Sequence, residues 1–176
     1  SSSESSLKAF FAHAFASLIF AHGIAFVFGA TGGLDLSALG MAQAQPNLLF
    51  DIGLTLLLVG LLARAAVAPF HPWYPDVHEG AASFVTTHVV TIAQASTFFV
   101  LLRILHAVAE PTSPGMGGVS DRIPTLLGVL AVIGLLWGHA MALVQIGLRR
   151  LVGWLGVGQA GFFTLALVDA RGDGAA

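Results

Sequence analysis

Long apolar runs, separated by short polar stretches carrying glycine and proline, set the pattern of this chain. The runs are continuous and lack the in-and-out alternation of membrane-barrel strands. Each approaches the roughly 20 apolar residues that a helix needs to cross the hydrocarbon core of a bilayer. Five membrane-spanning helices are predicted, over residues 7–30, 48–69, 84–108, 123–148 and 151–168. Breakers mark the connections: Gly29, Gly32, Gly33 and Pro46 after the first span, and Pro111, Pro114, Gly115, Gly117 and Gly118 after the third. Ser3 with Glu4, or Ser6, is expected to cap the first helix, and Asp121 the fourth, ahead of Pro124 in its first turn. The tail 169–176 is polar and expected to fray.

One span is interrupted. Arg64 sits in an apolar helix that is then broken by Pro69, Pro72 and Pro75, so the fold class is an all-α membrane bundle with one helix interrupted near Pro69 to Pro75. Lipid solvates neither a guanidinium nor the backbone groups that prolines leave unpaired, so such a segment must face protein or a wet cavity. That pairing of a charge with a backbone break points to ion transport.

Composition agrees with the pattern: 56% of residues are hydrophobic and 9% charged, against roughly 25% charged in soluble domains. The 176 residues form one transmembrane bundle with no soluble domain. A net charge of −2 argues against a nucleic-acid partner. Cysteine is absent, which excludes disulfides, thiolate metal sites and a thiol nucleophile. The first residues lack the features of a secretory signal, and there is no initiating methionine. Lysines and arginines at the span ends divide four against three; this weak bias puts the N-terminus, the loop 72–82 and the Arg149–Arg150 turn on the cytoplasmic or matrix side.

Within the spans the polar residues are His13, His22, Arg64, His88, Gln94, Arg103, His106, His139, Gln145 and Gln159. Each is costly in hydrocarbon and is expected to face protein or water. Arg64 reads either as a pathway residue or as a side chain snorkelling to the interface. His13 and His22 are nine positions apart, about 900° of helical rotation, so they point to opposite faces. Each histidine alone reads as a hydrogen-bonded bundle residue before a proton relay. No GxSxG, HExxH or P-loop occurs, no catalytic residue or metal site is expected, and no spacing puts two histidines at matching depth for haem. Gly153, Gly156, Gly158 and Gly161 are expected to let helices approach closely.

A family resemblance rests on several blocks in order: Ser6-Leu7-Lys8-Ala9-Phe10, Val27 to Gly32, Leu57 to Leu61, Leu101-Leu102-Arg103, Ala142 to Gln145 and, most specifically, Ala68-Pro69-Phe70-His71-Pro72-Trp73-Tyr74-Pro75-Asp76-Val77-His78-Glu79-Gly80-Ala81. Together these resemble the central part of the antiporter-like subunit N of NADH:quinone oxidoreductase, respiratory complex I, called subunit 2 in mitochondria. The family's chains are longer, and the five spans look like its sixth to tenth helices. The resemblance implies a membrane-arm subunit contributing to proton translocation coupled to NADH:ubiquinone oxidoreduction, in a mitochondrial inner membrane or bacterial plasma membrane. It implies no cofactor in this chain, with flavin, iron–sulfur clusters and quinone in partner subunits of the complex. Partners would be other membrane-arm subunits and, for a split subunit, a second chain supplying the remaining helices. A split form is preferred over a fragment, given a start just before the first span and a polar end after the fifth.

Carried over by position, Lys8 matches a family lysine near the start of its helix, and Arg64 stands where the family has its key lysine, seven residues before His71. Gln94 stands where a second lysine is usual, and Gln159 at a position that is histidine or glutamine in relatives. The loop acids Asp76 and Glu79 are intact. Proton-path candidates are therefore Lys8, Arg64, His71, His88, Gln94 and Gln159. Arginine stays charged in proteins and glutamine does not titrate, so a relic that seals the membrane without pumping is the alternative, as is a subunit of a related ion-translocating hydrogenase or antiporter complex.

Overall fold

The structure, a computed structural model, describes residues 2–42, 47–109 and 119–172. The described residues are helical, without strands. In chain order the helices are α1 (Ser2–Thr31), α2 (Leu36–Ala42), α3 (Leu48–Arg64), α4 (Trp73–Gly80), α5 (Ser83–His88), a π-helical segment (Val89–Gln94), α6 (Ala95–Ala109), α7 (Val119–Leu143) and α8 (Leu148–Gly172). Among these, Ser3–Thr31, Arg122–Leu143 and Leu148–Val168 are long and apolar enough to cross a membrane, and Ile92–Val108 is a shorter apolar helix.

Helices occupy all five predicted stretches, three of them long and apolar enough to cross a membrane, with altered edges. The second ends at Arg64 rather than Pro69, because Ala66 takes a positive φ of 57° that an α-helix cannot contain. The third is not uniformly α-helical: α5, the π segment and α6 follow one another, with the π turns inserted ahead of Gln94. Pi turns of this kind admit an extra residue per turn and recur at functional sites. Two short helices escaped the pattern, α2 in the first connection and α4 in the proline-rich loop. Ser3, Glu4 and Ser6 lie inside α1, which begins at Ser2, and Pro124 lies beyond the first turn of α7. Gly29 is likewise helical. Pro46, the breakers 111–118 and residues 173–176 lie outside the described residues, as does the side chain of Asp121.

Small residues set the helix pairing. A Cβ on Gly60 would lie 2.7 Å from the Phe20 nitrogen, and one on Gly53 2.7 Å from the Val27 nitrogen. The later residue of α3 thus opposes the earlier one of α1, and the two helices run antiparallel at backbone contact. On α8 the glycines divide by face. Gly153 and Gly156 seat α4, at Pro75 and Tyr74, while Gly158 and Gly161 seat α7, at His139 and Leu135. Close approach through small residues is how helices associate in lipid, where apolar burial gives no advantage over contact with acyl chains. The main core joins α3, α6 and α7 with the residues just after Arg64; a second cluster holds Ala66, Trp73, Tyr74, Val77, Ala142, Trp154 and Val157.

Candidate functional site

The break between α3 and α4 is the centre of the site. A helix that stops in the protein interior leaves its last carbonyls without intrahelical partners. Here the chain folds back on them. Ala65 N–H donates to the Leu61 carbonyl, Ala66 N–H to Ala63 at 3.4 Å, and Val67 N–H to Leu62 at 3.1 Å. This is a Schellman ending, with Val67 and Leu62 supplying its apolar contact and Ala66 in the left-handed position usually given to glycine. Ala65, Ala66, Val67 and Ala68 are all fully buried, and a cis peptide joins Ala68 to Pro69.

The Ala65 carbonyl takes its partner from another helix. Gln94, at the end of the π segment and only 5% exposed, donates Nε2–H to that oxygen at 3.0 Å. Its Oε1 accepts the Tyr74 hydroxyl at 3.1 Å. The two partners fix the amide orientation, since a carbonyl only accepts and the hydroxyl has its one proton to give. Gln94 thereby bridges the end of α3 to the start of α4. Burial drives the Tyr74 hydroxyl far above its usual titration range, so it remains a proton donor.

Arg64 is the final residue of α3, where its charge complements the negative end of the helix dipole. Its Nη1 donates to Ser17 Oγ at 3.1 Å. Ser17 lies near the middle of α1, nine residues and roughly 13 Å of helix rise beyond Lys8. The guanidinium, at an exposed position, is therefore held against the middle of α1. One helical turn closer to Lys8, the His13 ring packs edge-on against Trp73 at 4.5 Å.

At the outer end of α4 a charged lattice joins three helices. Lys8 Nζ lies 3.0 Å from Glu4 Oε1 and 2.8 Å from Asp76 Oδ2. Arg150, in the first turn of α8, reaches Glu79 Oε2 at 3.3 Å and Asp76 Oδ1 at 3.8 Å. Together with Ser5 and Gly80 these side chains line a surface recess of about 570 Å³. The expectation that the N-terminus, the loop 72–82 and the Arg149–Arg150 turn share one side of the membrane agrees with this contact.

Of the candidates named from sequence, Lys8 meets Asp76, Arg64 meets Ser17, and Gln94 closes the break. His71 is half-buried in the break with its ring 5.4 Å from that of Trp154; among the described residues its Nδ1 and the Trp154 Nε1 have no hydrogen-bond partner. His88 and Gln159 are exposed and lie outside this constellation. His22 and His139 each turn back to a carbonyl one helical turn earlier in their own helices. No group of three His, Asp or Glu among the described residues is placed to hold a metal ion.

Ser17, Tyr74 and His78 were not singled out. His78 is buried; its Nδ1 faces the Tyr74 carbonyl at 2.9 Å, which makes Nδ1 the protonated nitrogen, and its ring stacks on Tyr74 at 4.5 Å. Burial lowers its pKa, opposed in part by that hydrogen bond. The available signal was spacing: Tyr74 and His78 are one helical turn apart, which matters only once α4 is recognised as a helix.

Comparison with known proteins places this geometry. The profile of the family described as NADH:quinone oxidoreductase/Mrp antiporter, TM, matches residues 1–175. NADH-quinone oxidoreductase subunit N of Bdellovibrio bacteriovorus is 35% identical over 172 residues, covering 96% of this chain and 34% of that protein. The subunit N of Salinispora arenicola is 33% identical, over 98% of this chain and 34% of that protein. The chain thus spans about a third of the length of these curated relatives. Among solved structures, respiratory complex I from Thermus thermophilus with bound aureothin matches 95% of this chain and 34% of its own, at a TM-score of 0.75 and 35% identity. The membrane-bound sulfane sulfur reductase, an archaeal respiratory membrane complex, matches 94% of this chain and 33% of its own, at a TM-score of 0.82 and 26% identity. The profile covers the charged lattice, the break and the bridging helix together, and the chain belongs to the NADH:quinone oxidoreductase/Mrp antiporter family of membrane proteins.

Proposed function

We propose that this chain is the central bundle of a membrane-arm subunit of respiratory complex I, contributing to proton translocation driven by NADH:quinone oxidoreduction elsewhere in the complex. The carrying observation is the Arg64 guanidinium held half-way along α1 by Ser17, at a break whose far side reaches the Lys8–Asp76 ion pair. The named relatives support the assignment to subunit N. In this reading the chain performs no redox step, and flavin, iron–sulfur clusters and quinone belong to partner subunits.

Arg64 acts here as a fixed positive charge. It biases the protonation of groups nearby and does not carry the proton itself, since a guanidinium holds its proton at physiological pH. Lys8 and Asp76 form the titratable pair at one end of the path. The likeness to the sulfane sulfur reductase complex favours a second reading, a subunit of a related ion-translocating assembly. Co-purification separates the two: partners carrying flavin, iron–sulfur clusters and a nicotinamide site support complex I.

The test is the proton-to-electron ratio of the assembled complex in sealed vesicles. Arg64→Ala is expected to lower the ratio, and Arg64→Lys to retain it. If both variants assemble and pump like the parent, Arg64 has no transport role and the sealing relic becomes the better description.

A further inference from the structure

We propose that Gln94 is a positioning residue, a neutral latch that holds the end of α3 and the start of α4 in one arrangement and thereby fixes where Arg64 stands. The inference rests on the hydrogen-bond geometry and is independent of what the subunit transports.

Three observations carry it. First, the Schellman turn satisfies the carbonyls of Leu62 and Ala63, and the Ala65 N–H that of Leu61, but none of these bonds reaches the Ala65 oxygen. That oxygen is buried and its hydrogen bond comes from Gln94 Nε2. Second, the same amide accepts a hydrogen bond from the hydroxyl of Tyr74, nine residues further along the chain, at its other end. A single side chain thus spans the whole break, and it does so with one donor and one acceptor used in the only orientation that satisfies both partners. Third, the residues between these anchors are held by packing: Val67 belongs to the core around α3, and Ala66 lies in the cluster around Tyr74. Releasing the amide would leave the Ala65 carbonyl and the Tyr74 hydroxyl buried without the bonds that tie them to each other's helices, so that only the Schellman turn and packing would hold the break. Arg64 immediately precedes Ala65, so release would also free the helix end that aims its guanidinium at Ser17.

The chain contains no cysteine, so a single introduced thiol reports on the break. In membranes containing the full assembled complex, Val67→Cys places that thiol at a fully buried position. Its maleimide reactivity is read on this chain after separation. Gln94→Leu is expected to raise the labelling rate at least about tenfold, the consequence of leaving the Ala65 carbonyl unpaired in the interior. Thr97→Val, removing a hydroxyl one turn further along the same helix that bonds within that helix, is expected to leave it unchanged.

Gln94→Glu supplies the readout that a space-filling role would not move. A protonated carboxyl has one O–H donor and one carbonyl acceptor, the same pair the amide uses; the ionised form only accepts and faces the Ala65 oxygen with none to give. Labelling in Gln94→Glu, divided by labelling with Gln94 at the same pH, is expected to be near one at acid pH and to rise reversibly as the introduced carboxyl ionises. The titratable and charged groups around the bridge are Tyr74, His78 on its ring, His71 in the break and Arg64 before Ala65; all are common to both backgrounds and cancel in the ratio. A flat ratio, or unchanged labelling in an assembled Gln94→Leu complex, overturns the latch. Should the leucine variant fail to assemble, the pH response of the glutamate variant decides alone.

Discussion

Ala65, at one end of the segment linking α3 to α4, and Asp76, near the other, both need polar partners and find partners of opposite kind. The buried end uses neutral groups: an amide, a hydroxyl and a carbonyl, each with a defined direction. The outer end uses five charged side chains, most of them half-exposed, sharing ion pairs between 2.8 and 3.8 Å. Hydrogen bonds in a dry interior have no competing water and leave costly orphans when broken. Exposed ion pairs compete with water and salt and contribute little each. The difference teaches that geometry of the break is set from inside, while the charges outside are free to exchange partners.

The comparison breaks most severely if packing, rather than either polar set, holds α4. Gly153→Val tests this. Its Cβ would meet the Pro75 Cα at 2.7 Å, backbone that cannot rotate away, and a cost of roughly 2–3 kcal/mol is expected from overpacking. Recovery of the chain in the assembled complex should fall sharply; normal recovery would show that α4 is loosely seated.

Next in size is Tyr74→Phe, which leaves the Gln94 oxygen buried and unpaired. A loss of about 1–3 kcal/mol is expected, measured by denaturant stability of the purified complex, and the double variant with Gln94→Leu should lose much less than the sum. Additive losses would mean that the bridge is not one unit. Acid should then weaken the same region. His78 has a lowered pKa in the fold, so its neutral form is favoured and stability is full above the unfolded value of about 6.5. As pH falls below that value the unfolded chain takes up the proton first, and stability declines towards the depressed folded pKa. Amide exchange in α4, corrected for intrinsic rates, should quicken between about pH 7 and pH 5, and His78→Phe should flatten the response.

The smallest effect is expected outside. Glu79→Gln removes one partner of Arg150, leaving Asp76 beside it, and should change stability by no more than about 1 kcal/mol. The change should vanish at high salt. A larger, salt-insensitive loss would show that the outer lattice is desolvated in the assembly and would erase the contrast between the two ends.

The membrane class, the helical stretches and the interrupted helix were legible because long apolar runs are hard to produce otherwise. The candidates Lys8, Arg64, Gln94, Asp76 and Glu79 came from the family blocks and from positions counted against them, but the partners they meet in the fold were not legible. Lys8 and Asp76 are 68 residues apart, and Arg64 and Ser17 are 47 apart; no periodicity connects them. The stop at Arg64 was invisible for a different reason. Alanine is the best helix former, and nothing in Ala65-Ala66 announces a left-handed residue. Tertiary packing imposes it: the prolines downstream require a turn, and the Schellman bonds and the Gln94 bridge satisfy the carbonyls at the one that forms. The short α4 was hidden by prolines, yet Pro72 precedes it and Pro75 falls in its first turn, where a missing N–H costs nothing.

The glycines of α8 carry a mechanical meaning beyond close approach. Gly153 and Gly156 abut α4, while Gly158 and Gly161 abut α7 on the next turns. Gly153 meets the Pro75 Cα and Gly161 the Leu135 nitrogen, backbone that no rotamer change can move aside, while Gly156 and Gly158 meet the rings of Tyr74 and His139. A larger residue at Gly153 or Gly161 would have to push a whole helix aside, while one at Gly156 or Gly158 would first have to displace a ring, so these four positions set how closely α8 can lie to α4 and to α7.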